Sequence, residues 1–92
     1  MIETFRDRAT EALYHNRFVA RFSGIERIAR RRLRYLAQAR KLNDLEVPPG
    51  NRLEALKGDR AGQYSIRINR QWRICFRWED GKAFDVEIVD YH

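Results

Sequence analysis

The sequence predicts an α+β domain with two N-terminal helices packed on one face of a small, mainly antiparallel sheet. Three observations carry that expectation. The hydrophobic period is helical in the first half of the chain and two in the second half. The break between the halves, LNDLEVPPGN, holds Pro48, Pro49 and Gly50, which cannot continue a helix. Asp80-Gly81, set between two alternating segments, is a two-residue hairpin turn.

The elements follow in order. Met1 to Phe5 has the makings of a short edge strand. Thr4 with Asp7 resembles a capping box, and Ala9, Ala12 and Leu13 sit at helical spacing behind it, so a first helix is expected over about 6–15. Ser23 with Glu26 is a second capping box. Ile25, Ile28, Ala29, Leu33, Leu36 and Ala37 then share one face, with the arginines mostly on the other, which predicts a helix over about 24–41. Tyr64, Ile66 and Ile68 alternate with polar residues, as do Trp72, Ile74, Phe76 and Trp78, and then Phe84, Val86 and Ile88. Asn69-Arg70-Gln71 joins the first two strands of this meander. Alternation leaves Arg67, Arg73 and Arg77 on the face opposite the helices. Asp85 and Glu87 are their available cross-strand partners, too few for the arginines and the nearby Arg52, Lys57 and Arg60.

Ninety-two residues predict a single domain, 1–92, with one modest core. No apolar run approaches the roughly 20 residues of a membrane helix, and MIETFRDRATEAL carries charges where a secretory leader is apolar. A cytoplasmic protein is expected, with no membrane partner. Cys75 is the single cysteine, and His15 and His92 lie in different elements, so neither a disulfide nor a metal framework is expected. GDRAG matches no phosphate-binding glycine loop, and no cofactor is expected.

The net charge is +6, and sixteen of the nineteen cations are arginine. Residues 25–42 hold seven cations against Glu26, a net +6, and residues 52–77 hold seven against Glu54 and Asp59, a net +5. Residues 78–92 hold Lys82 against five carboxylates, a net −4. Guanidinium groups match phosphate geometry in a bidentate fork and stack on bases. A polyanionic partner is therefore expected, against the plainer reading of a solvated basic surface.

A set of proton-transfer groups lies within this basic region. Asp90, Tyr91 and His92 close the last strand, Glu54 and Lys57 precede the sheet, and Arg73 lies mid-strand. Cleavage of RNA by its own 2′-hydroxyl needs a base, an acid for the 5′ leaving oxygen, and cations for the charge gathering on phosphorus. This set can supply all three. Plainer readings exist: a frayed terminal His92, a half-buried strand-end Tyr91, and an Asp90 paired to an arginine.

The stretches PPGNRLEALKGDRAGQYSIRINRQWRICFRW and VEIVDYH resemble the HigB-like toxins of the RelE/ParE superfamily, over nearly the whole chain and in register. The resemblance implies a RelE-like fold and the toxin of a type II toxin–antitoxin pair. It implies a ribosome-dependent mRNA endonuclease that cuts in the A site of the 70S ribosome without metal. The implied partner is a HigA-like antitoxin with a helix-turn-helix domain, through which alone operator DNA would be contacted. Carried over, the resemblance points to Asp90, Tyr91 and His92 for cleavage, with Lys57 and Arg73 at the family's basic positions. Some relatives place a histidine where this chain has Glu54, whose carboxylate brings negative charge towards phosphate.

On this reading the last strand ends at the site. Tyr91 or Glu54 helps remove the 2′ proton, and His92 serves as acid or phosphate contact. Asp90 orients His92 or an arginine, and Arg73 and Lys57 hold the scissile phosphate. Arg52, Arg67 and Arg77 add phosphate contacts on the sheet. Arg30, Arg31 and Arg34, with Arg32 between them, are candidates for ribosomal RNA, against a solvated or antitoxin-facing helix. Two rivals remain: a ParE-like inhibitor of DNA gyrase with the same fold, and a non-catalytic nucleic-acid-binding module.

Overall fold

A computed structural model describes residues 1–91, and His92 lies outside the described residues. Helix α1 spans Arg8–Tyr14 and α2 spans Glu26–Gln38. Four strands follow: β1 (Glu54–Ala55), β2 (Gln63–Arg67), β3 (Trp72–Glu79) and β4 (Lys82–Asp90). They form one sheet in the order β1-β2-β3-β4, each pair antiparallel. The expected α+β architecture is present, with β1 added ahead of the meander.

Ile25, Ala29, Leu33 and Leu36 line the buried stripe of α2 and meet Ile66, Ile74, Phe76, Val86 and Ile88 from the sheet. Leu13 of α1, Phe22 and Leu45 complete the core, and the Phe22 ring packs edge-on against Trp72 at 5.5 Å. Ile28, expected on the apolar face, is 36% exposed.

Both expected capping boxes fail. Helix α1 starts behind Asp7, without a side-chain cap, because the Thr4 hydroxyl is used elsewhere: it accepts the Asp85 N–H at 2.8 Å. Helix α2 starts behind Ile25, again without a side-chain cap, and Glu26 pairs forward with Arg30 at 3.6 Å. Helix α2 ends at Gln38, three residues short of the expected end. The Asp44 carboxylate accepts the N–H groups of Arg40 and Lys41 at 3.0 Å each, a local turn that competes with helix continuation.

Residues 1–6 run parallel to β4 through two isolated bridges, Ile2 to Ala83 and Phe5 to Val86, rather than as a continuous strand. Glu3 N–H donates to Ala83 O at 2.8 Å and Arg6 N–H to Val86 O at 2.9 Å. In return Met1 O and Thr4 O accept from Ala83 and Val86. Further along, the buried Thr10 hydroxyl of α1 accepts the Ile88 N–H at 3.0 Å.

A β-bulge alters the expected face of β4. Cys75 pairs with Glu87 and Arg77 with Phe84, so Asp85 and Val86 together stand opposite Phe76, and Asp85 takes φ +54°. The extra residue shifts the alternation. Ala83, Val86 and Ile88 face the core, while Phe84 lies on the other face beneath the Arg77 guanidinium, 5.3 Å from its ring.

Candidate active site

The face of the sheet away from the helices carries the charge, as alternation demands. Arg67 and Arg73 are direct cross-strand neighbours on β2 and β3. Like charges so placed repel, and each guanidinium is tied down by oxygen acceptors. Arg67 Nε donates to Asn69 O at 3.0 Å, and Arg32 of α2 donates through Nε to Arg67 O at 3.1 Å. Arg73 is only 8% exposed. Its Nε donates to the Ser65 hydroxyl at 2.7 Å and its Nη2 to Arg52 O at 2.9 Å. The Tyr91 ring lies over its Cζ at 5.3 Å.

Two elements bring distant residues to Arg73. Strand β1 pairs with β2 through Glu54–Ser65 and Ala55–Tyr64, which places residues 52–57 beside the arginines. Arg52 precedes it in the left-handed region, φ +45°, and presents its carbonyl to Arg73. The β2–β3 turn fixes the other side. Asn69 Oδ1 accepts the N–H groups of Gln71 and Trp72 at 2.8 Å each, and Gln71 O accepts the Tyr91 N–H at 2.6 Å. Gln71 Nε2 also donates to Asp90 Oδ2 at 3.1 Å, so the Asp90 carboxylate engages this turn.

The result is an open cleft of about 350 Å³ lined by Arg52, Glu54, Arg67, Asn69, Arg70, Arg73 and Tyr91. Four cations face one carboxylate. A second cleft, lined by Ala55, Leu56 and Lys57, shares Glu54 and Tyr91 with the first. Tyr91 and Glu54 thus form the wall between an arginine cluster and Lys57. Of the expected site residues, Arg52, Glu54, Lys57, Arg67, Arg73 and Tyr91 are brought together. Asp90 sits at the rim, and His92 lies outside the described residues.

Arg77 is not brought to the cleft. It lies four residues along β3 from Arg73, roughly 13 Å, and bonds Asp85 at 2.8 Å and Glu79 at 2.6 Å. Those two carboxylates, Asp85 first, raise its already high pKa. Glu87, the other expected partner of the sheet arginines, pairs with Arg60 at 2.9 Å and Arg6 at 3.5 Å instead. On α2, Arg30 is a strap: Nε donates to Leu13 O and Nη2 to Arg17 O, both at 3.0 Å. Arg31 and Arg34 are exposed.

Sequence reasoning missed Ser65, Asn69 and Arg70. In the sequence Asn69 and Arg70 carry only the signal of a turn. Ser65 stands on the polar face by simple alternation, but its contact with Arg73 is diagonal across the strands and depends on the register. Cys75, opposite Ser65, is fully buried, and that burial pushes its thiol pKa up.

A sequence profile described as the RelE-like toxin of type II toxin–antitoxin system HigB matches residues 3–92. The chain belongs to this family of HigB-like toxins. Toxin HigB-1 of Vibrio cholerae is 41% identical over 83 residues, 88% of this chain and 87% of that protein. Endoribonuclease HigB of Proteus vulgaris is 44% identical over 41 residues, 45% of each chain. Among solved structures, YoeB of Staphylococcus aureus, crystallised as a dimer, superposes with a TM-score of 0.61 at 19% identity, covering 99% of this chain and 97% of that one. YafQ of Escherichia coli superposes at 0.59 with 15% identity, covering 98% and 91%. At that identity the likeness shows the fold, and it agrees with two helices on an antiparallel sheet.

Proposed function

We propose that this HigB-like toxin is a ribosome-dependent endoribonuclease that cuts mRNA in the A site and so stops translation. The observation that carries the reading is Arg73: a nearly buried guanidinium with neutral partners, at the base of a cleft whose wall is a tyrosine and a carboxylate. A guanidinium stays charged when buried, and burial without a counter-charge is costly. A phosphate entering the cleft supplies that counter-charge. The Proteus vulgaris relative is named as an endoribonuclease, which favours RNA as the polyanion.

In the proposed reaction the 2′-oxygen of the substrate attacks the adjacent phosphorus and the P–O5′ bond breaks. The products are a 2′,3′-cyclic phosphate and a 5′-hydroxyl. Tyr91 or Glu54 accepts the 2′ proton, and His92 returns a proton to the 5′-oxygen or contacts the phosphate. Arg73 and Lys57 neutralise the charge gathering on phosphorus, and Arg52 and Arg67 hold neighbouring phosphates. All the required groups are side chains, so the proposed reaction needs no metal. Asp90, held by Gln71, positions the end of β4 beside Tyr91. In this reading the exposed Arg31 and Arg34 grip ribosomal RNA. The S. aureus YoeB relative crystallises with YefM as a heterotetrameric toxin–antitoxin complex. That likeness, with the family, supports a cognate antitoxin that holds this chain inactive, in our proposal a helix-turn-helix protein that alone contacts operator DNA.

The test is primer extension on mRNA paused on purified 70S ribosomes, with the wild type, Tyr91→Ala and His92→Ala. New ends within the A-site codon, lost in both variants, support the reading. Intact mRNA at concentrations that stop growth would turn the assignment to gyrase inhibition. Binding without new ends would favour a non-catalytic module.

A further inference from the structure

We infer that Ser65 is the positioning residue that turns Arg73 into a fixed phosphate fork, so that the anion site is complete in the protein before any ribosome is met. The inference deepens the nuclease reading and rests on it for its catalytic consequence, though not for anion binding.

A guanidinium has five N–H donors. In Arg73 one on Nε is given to Ser65 Oγ at 2.7 Å and one on Nη2 to Arg52 O at 2.9 Å. One face of the group is covered by the Tyr91 ring. The remaining three donors, two on Nη1 and one on Nη2, belong to the edge of a residue that lines the cleft. Rotation of the side chain is blocked from two sides, because Ser65 is fully buried and the Arg52 carbonyl is set by a left-handed backbone. The hydroxyl is the short bond of the two, and it reaches Nε, the atom about which the fork would otherwise swing. A preorganised donor spends nothing on reorientation when charge develops. A serine also suits the position chemically: it accepts from the guanidinium without bringing a negative charge that would compete with phosphate. A carboxylate at 65 would pair with Arg73 and close the site.

The experiment compares wild type, Ser65→Ala and Ser65→Thr in the full-length protein. Uridine 3′-monophosphate is titrated in without ribosomes while the Arg73 Nε–Hε resonance is followed by NMR. Charge-assisted bonds set the scale, about tenfold in affinity for one lost contact. The expected result is a dispersed Arg73 resonance that shifts on titration in the wild type. In Ser65→Ala that resonance collapses towards the free-arginine position and nucleotide binding weakens about tenfold, with the melting curve still cooperative. Ser65→Thr restores both. In the ribosomal assay Ser65→Ala lowers kcat more than it raises KM for ribosomes, because the exposed cations of α2, which are untouched, share in the proposed ribosome contact. An unchanged resonance and unchanged nucleotide affinity in Ser65→Ala overturn the inference. Ser65-dependent nucleotide binding in a protein that cuts no RNA would leave the inference standing and overturn the nuclease reading. A fall in both melting temperature and affinity that Ser65→Thr does not repair would reduce Ser65 to a packing residue.

Discussion

Arg73 and Arg77 are four residues apart on the same face of the same strand, and their fates differ. Arg77 is held by Asp85 and Glu79, whereas Arg73 is held by a hydroxyl, a carbonyl and a ring. Cleavage by Arg73→Ala should therefore fall by about 100-fold or more, the scale of a lost transition-state donor. Arg77→Ala should cut at near the wild-type rate in the same primer-extension assay. Alternation in the sequence placed both arginines on one face, but it could not say which would find carboxylates, because that depends on the bulge at Asp85. Asp44 makes a separate case. Its carboxyl is held below the ordinary 3.8 by N–H bonds from Lys41 and Arg40. A depressed pKa contributes stability above the unfolded value and loses it as the pH falls through the folded one. Asp44→Asn should thus be less stable than wild type in urea at pH 7, and the gap should close as the pH drops below 3.8.

At the level of elements, the strands of the meander were legible because a half-buried strand writes its period directly into the sequence. The caps were not. A Thr or Ser ahead of a helical run signals a cap only if no nearer donor claims its hydroxyl, and Thr4 is claimed by the bulge in β4. The bulge itself carries no glycine at its positive-φ residue, so the sequence offered no mark for it. The two residues of β1 are too few to show a period, yet that strand brings Glu54 and Arg52 to the site. The hydroxyl of Thr10 ties α1 to β4 below the bulge, fully out of water. Thr10→Val keeps the shape and leaves the Ile88 N–H without its partner, which should cost about 1–3 kcal/mol. Thermal and urea unfolding will show whether it does.

Across the whole molecule, positive charge gathers on the outer side of α2 and in the cleft. A contact with RNA phosphates made through these groups releases counterions, so ribosome binding should weaken steeply with salt, with a slope of about 0.7–0.9 per phosphate engaged. Arg31→Ala with Arg34→Ala should flatten that slope and leave the unfolding free energy within about 0.5 kcal/mol of wild type, as exposed substitutions usually do. The overall architecture was readable from period and loop chemistry alone, whereas the assembly of the cleft from residues 52–57, 65–73 and 91 was not, since register and turn geometry make it. The N-terminal segment adds a different consequence. Met1, Thr4 and Thr10 supply oxygens to the outward amides of Ala83, Val86 and Ile88, and the opposite border of the sheet is only two residues long. Among the described residues neither border offers a long run of open amides and carbonyls on which another chain could template itself. Removing residues 1–6 would bare the outer side of β4, and light scattering should then detect more self-association than in the full chain.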